Sequence, residues 1–259
     1  MCLILFAYDC HPHYYLAVAA NRDEYYHRPS LPAAFWPEFP SLLAGKDLQM
    51  GGTWLGITTT GRFAAITNYR EKAIHPRIFS RGQLVREYLC SSKPPHEYIS
   101  SLKNGGSEFN GFSLLMGYNQ SLYYYSNREK VLSKIEKGCH GLSNNLLDVP
   151  WPKVRKGLEA LTGCLHYKEG MEERLFAILA DKEQAPDHEL PQTGVSLEWE
   201  RILSPAFVVS PNYGTRCSTV LLIDRRGHVR FWERSFEPNK PNQYKEVFYE
   251  FDIISPGKA

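Results

Sequence analysis

No Cys-x-x-Cys pair occurs in the 259 residues; the six cysteines, Cys2, Cys10, Cys90, Cys139, Cys164 and Cys217, are scattered. Without a dense cysteine framework, reduced thiols and a reducing, cytoplasmic setting are expected, although an even count leaves disulfides open. No Cys-x-x-Cys-His is present, which excludes covalent haem. Nor does one sign of charge dominate. The 30 basic and 28 acidic residues are mixed along the chain, so no basic face for nucleic acid is expected. No stretch approaches the ~20 apolar residues of a membrane helix. The apolar opening lacks a basic n-region and soon meets Asp9 and His11, unlike a signal peptide. Internal repeats, low-complexity tracts and domain linkers are also missing, which predicts a single domain over residues 1–259.

Aromatic residues are plentiful: 16 tyrosines raise the aromatic share to 13%, which suits a large packed core or an apolar ligand pocket without deciding between them. The runs 2–8 and 14–20 are almost continuously apolar around a turn-like Asp9-Cys10-His11-Pro12-His13, as in a hairpin of central strands covered on both faces. A proline-rich loop through Pro40, hairpins over 54–67 and 112–125, and a strand over 138–143 follow. Helices are expected over 80–90, after Pro94-Pro95, from Pro152 to near Gly163, and over 172–181. The acidic, aperiodic stretch 182–203 reads as a surface loop or flap, and strands return over 217–224, 229–236 and 244–251. Strands framing a central helical block predict an α+β fold, a four-layer αββα sandwich of antiparallel sheets.

Chemistry would have to come from a few positions. Removal of Met1 would leave Cys2 with a thiol (~8.5) and an α-amine (~7.7–8.0) on one residue, so that the amine serves as the thiol's own base; the alternative is a small hydrophobe in a buried strand. Asn21-Arg22-Asp23-Glu24 ends the second strand, beside the start of the first in a tight hairpin. There Asp23 would orient the amine and Arg22 would favour the thiolate, whereas composition alone favours a solvated turn with a local ion pair. Asn68 and Asn144 each follow a strand and could donate to an oxyanion or cap a turn. Arg216 could bind a carboxylate or close an ion pair.

Together these stretches carry a resemblance. Cys2 and its strand, Asn21-Arg22-Asp23-Glu24, Gly51-Gly52-Thr53-Trp54-Leu55-Gly56, Thr67-Asn68-Tyr69-Arg70, Gly141-Leu142-Ser143-Asn144 with Pro150-Trp151-Pro152-Lys153, and Tyr213-Gly214-Thr215-Arg216 fall in the order found in the NRDE family, also called the transport and Golgi organisation family. That family is similar to N-terminal-nucleophile hydrolases of the bile salt hydrolase and penicillin V acylase type. The resemblance implies Cys2 as nucleophile, Asp23 as the residue positioning amine and thiol, Asn144 as oxyanion donor, Asn68 as a second donor, and Arg216 as support for the nucleophile. One departure stands out. Those hydrolases have an arginine three residues before the aspartate, where this chain has Ala20, and Arg22 adjoins Asp23 instead; because strand neighbours face opposite sides, Arg22 is expected to point elsewhere.

Two functions follow from the resemblance. One is a cysteine amidohydrolase acting on an amide or related acyl bond, with no cofactor or metal required. The other is a non-catalytic carrier of haem or an acyl lipid, for which Cys10, His11 and His13 are conceivable ligands or an ordinary exposed turn. Substrate, retention of catalysis and oligomeric state are left open by the sequence.

Overall fold

The two apolar runs at the start of the chain pair as β1 (Cys2–Tyr8) and β2 (Tyr14–Tyr25), and all seven residues of β1 are buried. Burial on both faces is why its hydrophobicity is continuous rather than alternating. The computed structural model describes residues 2–71, 77 and 79–254. Next come β3 (Ser30–Trp36), β4 (Phe39–Asp47), β5 (Leu55–Thr58), β6 (Phe63–Asn68), α1 (Arg81–Cys90), α2 (Pro95–Ser101), β7 (Phe112–Tyr118), β8 (Ser121–Ser126) and β9 (Leu132–Lys134). The remainder is β10 (Gly138–Leu142), α3 (Pro152–Cys164), α4 (Met171–Leu179), α5 (Leu197–Ile202), β11 (Tyr213–Asp224), β12 (His228–Glu237) and β13 (Lys240–Asp252). Among the described residues, no helix is long and apolar enough to cross a membrane.

The chain divides into two compact units: residues up to His27 with Lys137–Glu250, and Arg28–Glu136 with the chain from Phe251 onward. The first unit holds a six-stranded antiparallel sheet in the order β10-β1-β2-β11-β12-β13. Leu3, Leu5, Ala7, Ala17, Ala19, Val220 and Leu222 line one of its faces and pack under α3 and α4 through Val154, Leu161, Leu175, Phe176 and Leu179. Each leucine, valine or phenylalanine among them contributes about 1.5–3 kcal/mol when fully buried. Contact between α3 and the sheet is unusually close. A Cβ at Gly157 would lie 2.5 Å from Leu5 Cδ1, and one at Gly141 in β10 would lie 2.5 Å from Val154 Cγ1, so both positions need glycine for proximity rather than for backbone freedom.

The second unit holds a seven-stranded antiparallel sheet, β3-β4-β5-β6-β7-β8-β9. Leu42, Ala44, Ala64, Ile66, Leu114 and Met116 on that sheet pack against Leu84, Val85, Tyr88 and Leu89 of α1. Ser80 caps α1, its hydroxyl accepting from the Gly82 N–H.

Two stretches differ from expectation. The proline-rich segment through Pro40 is not a loop but β3 and the start of β4; β3 is an edge strand, and Pro32 falls in the register irregularity between Leu31 and Ala34, where a missing N–H does not interrupt the ladder. Within the presumed 182–203 loop, Ser196 caps a short helix, α5, and Asp187–Glu189 form a single 3₁₀ turn.

Candidate active site

β2 does not surface where its polar residues begin. It continues to Tyr25 between β1 and β11, and Asn21, Arg22 and Asp23 are buried, so this is no solvated turn. Each must therefore be satisfied within the protein. The Asn21 amide donates to the carbonyls of Leu179 (2.9 Å) and Ala206 (2.8 Å) and its oxygen accepts from the Ser218 hydroxyl (2.5 Å), which ties β2 to the end of α4 and to β11.

In register, Cys2 lies opposite Arg22, and Arg22 opposite Cys217 of β11. Directly opposed residues of an antiparallel pair share a face, so the three side chains lie on the same side of the sheet. The expectation that Arg22 would point away from the thiol is thereby corrected. Positions 20 and 22 have the same parity on β2, so Arg22 presents its charge on Ala20's face, two residues farther along and level with Cys2. Glu24, also on that face, lies 3.8 Å from the Arg22 guanidinium.

Asp23 faces the opposite side, toward α3. Its Oδ1 accepts from the Thr215 hydroxyl at 2.8 Å, and Thr215 Oγ1 accepts in turn from the Val208 N–H at 2.9 Å. The Asp23 carbonyl receives the Tyr213 hydroxyl at 2.9 Å. Lys153 Nζ of α3 stands 4.0 Å from Asp23 Oδ2, both side chains almost wholly withdrawn from solvent. Such a pair persists because removing either partner would leave an uncompensated buried charge.

Burial pushes the Cys2 thiol above its ordinary range; the Asp23 carboxylate adds to this, while the Arg22 guanidinium and the Asp23 peptide N–H, which reaches the sulfur, act the other way. Cys217 is pushed well up by burial and by Glu233 on β12. Neither thiol is a ready thiolate on its own, so Cys2 would need a base.

β10 supplies the other flank. Leu142 pairs with Ile4; just past the end of β10 the Ser143 hydroxyl donates to the Cys2 carbonyl (3.1 Å), and its neighbour Asn144 is buried at 1% exposure. The loop after Asn144 is closed by Asp148, whose N–H donates to the Gly141 carbonyl and whose carboxylate accepts from the Gly141 N–H, both at 2.8 Å. Arg216 occupies a β-bulge, for Thr215 pairs with Asp23 and Cys217 with Arg22. Its Nη1 donates to the carbonyls of Tyr25 (3.0 Å) and Tyr26 (3.1 Å), clamping the end of β2, and burial beside Arg22 lowers its proton affinity. Cys2, Arg22, Asp23, Asn144 and Arg216 thus gather at one end of the first unit's sheet. Asn68 closes β6 in the other unit, opposite Phe112. Met1 lies outside the described residues.

His11 does not sit in an exposed turn. It is 1% exposed, its Nδ1 accepts from the N–H groups of His13 (3.0 Å) and Tyr14 (3.1 Å), and Nε2 donates to the Tyr167 carbonyl (3.0 Å). Nδ1 closes the hairpin turn and Nε2 ties it to the Tyr167 carbonyl, so an axial bond from His11 to haem would have to break one of these contacts.

A family model described as Transport and Golgi organisation 2 matches residues 1–238. The chain belongs to that family. It is 38% identical over 278 residues to the Transport and Golgi organization protein 2 homolog of Bos taurus, covering 98% of this chain and 100% of the relative. The Homo sapiens homolog is 33% identical over 276 residues, with the same coverage. Among solved structures, the C2A mutant conjugated bile acid hydrolase from Clostridium perfringens matches with a TM-score of 0.52 at 7% identity, covering 97% of each chain. With its two antiparallel sheets and attendant helices, the chain has the expected α+β, N-terminal-nucleophile hydrolase-like fold.

Reasoning from sequence assigned no role to Lys153 or Thr215. One signal for Lys153 was present: Pro150-Trp151-Pro152-Lys153 places a cation in the first turn of a helix, the end whose dipole disfavours it, and such a breach of local preference marks either strain or function.

Proposed function

We propose that this protein is a cysteine amidohydrolase that opens an amide or related acyl bond with Cys2 as nucleophile, after loss of Met1. The observation that carries this reading is the register of β1 on β2, which sets the Cys2 sulfur against Arg22 and leaves Asp23 next along β2 on the side of the Cys2 nitrogen. In this mechanism the α-amine takes the thiol proton, the thiolate attacks the acyl carbon, and the amine returns the proton to the leaving nitrogen as the C–N bond breaks; water, deprotonated by the same amine, then attacks the thioester, releasing the carboxylic acid and restoring the thiol. Arg22 stabilises the thiolate, Asp23 orients the amine, and Asn144, buried next to the Ser143 that bonds the Cys2 carbonyl, donates to the developing oxyanion. Support also comes from the fold shared with the C2A mutant conjugated bile acid hydrolase from Clostridium perfringens.

The test is the mature N-terminus by intact mass, followed by iodoacetamide labelling of Cys2. Rapid labelling whose limiting rate at high pH falls in Asp23→Ala is expected. Labelling of Cys2 no faster than that of buried Cys217, and indifferent to Asp23, would end the proposal.

A further inference from the structure

We infer that Lys153 is a positioning residue of this site: through its contact with Asp23 it keeps the Cys2 α-amine in the unprotonated, base-competent form. This rests on the reading of Cys2 as an N-terminal nucleophile and adds a group outside the set that the sequence suggested. Three observations lead to it. Lys153 is drawn almost completely out of water, and the acid it meets is Asp23, 4.0 Å away. It sits in the first turn of α3, where the helix dipole opposes a cation and no acidic side chain of that turn compensates. Its helix is held hard against the sheet by close contacts at Gly157 and Gly141, so the backbone that carries Lys153 is fixed against β1 and β10.

The consequence is electrostatic. A buried carboxylate beside an amine stabilises the ammonium, which is the wrong state for a base, because an ammonium has no lone pair with which to take the thiol proton. A second cation on the same carboxylate offsets that effect. Asp23 then orients the amine without trapping its proton, and the pair loses its first proton at lower pH than it would with Asp23 alone. Other charged or titratable groups at this end are Arg22, Glu24 and Tyr26 on or just past β2, Tyr213, Arg216 and Cys217 on β11, and Glu233 on β12. All of them are retained in the variants below, so a change in profile reports on Lys153 or Asp23.

The experiment measures the rate of Cys2 carbamidomethylation by iodoacetamide against pH on the full chain, with the label located by peptide mapping and the N-terminus by intact mass. Lys153→Met removes the charge and keeps the bulk; its acid limb should move up by about one pH unit, a slowing near pH 7 of up to about tenfold. Lys153→Arg should stay near the parent profile, and Asp23→Asn, whose limiting rate at high pH falls with loss of the orienting carboxylate, should move the limb the opposite way. Opposite shifts from the two partners are a signature that loosened packing would not produce. A folded Lys153→Met with an unmoved or lowered limb overturns the inference. Should that variant fail to fold, Lys153→Gln carries the same expectation and the same refutation. A reactive, Asp23-dependent Cys2 that ignores Lys153 defeats this inference alone; a retained Met1, or a Cys2 as inert as Cys217, defeats it together with the proposed function.

Discussion

Replacing Gly157 by alanine sets two effects of known sign against each other within one helix. The added methyl would stand 2.5 Å from Leu5 Cδ1 and 3.1 Å from its Cδ2, inside the ~3.5–4.0 Å at which carbon atoms attract. Leu5 is fully buried in the core under α3 and α4, so the clash must be relieved by moving the helix or straining a rotamer. Overpacking of this kind costs about 1–3 kcal/mol. Against it, alanine is the better helix former by about 1 kcal/mol. Gly163 separates the two contributions: it lies on the same helix with nothing within 4 Å of its would-be Cβ, so Gly163→Ala keeps only the propensity gain. The two variants should therefore differ by about 1–3 kcal/mol, or roughly 5 °C in apparent midpoint for a chain of this size. Urea and thermal unfolding followed by near-ultraviolet circular dichroism would measure this, with the helix-bearing unit's transition read separately if the two units do not melt together. Stabilisation of Gly157→Ala equal to that of Gly163→Ala would refute the close approach of α3 to β1, and with it the argument that Lys153 is held in place.

Three further outcomes are expected. Thr215→Val removes the donor to Asp23 and the acceptor for Val208 N–H, and should lower the urea-derived stability by about 2–4 kcal/mol; a change under half of that would show the hydroxyl to be dispensable. Asn21→Ala leaves the carbonyls of Leu179 and Ala206 without their shared donor and should cost about 2–4 kcal/mol, while Asn21→Asp, which cannot donate to either, should do no better in the same unfolding assay. For His11, burial depresses proton affinity below the ordinary ~6.5, and protonating Nδ1 would break both bonds it accepts. Its contribution is therefore complete above that ordinary value and lost as pH falls from it toward the depressed folded value, since the unfolded chain binds the proton first. Stability measured across that window should fall with decreasing pH, and the slope should flatten in His11→Gln; an unchanged slope would assign it to other groups.

Much of the chain's outline is local and so could be read directly. Continuous apolar runs mark β1 and β2, Ser80 and Pro152 open α1 and α3, and Asn119-Gln120 turns the hairpin of β7 and β8 with two positive-φ residues. The order of short motifs, Cys2 first, carried the family and its fold. β3 escaped detection because an edge strand tolerates the proline that would disqualify a central one, and α5 because six residues are too few to show a helical period.

What the sequence by itself determined was which residue types the chain has to work with: a thiol at position 2, an Arg-Asp step at the end of a strand, an asparagine after β10, and an arginine before β11's core. Tertiary structure alone decided what each of them meets. Register, a quantity with no local code, set Arg22 against Cys2 instead of away from it, and the bulge at Arg216 turned a candidate ligand for substrate into a clamp on Tyr25 and Tyr26. Lys153 reaches Asp23 only because α3 folds back over β10 and β1 on two glycines, a long-range contact whose physical basis is the close packing of backbone on side chain, far beyond the span of any periodicity.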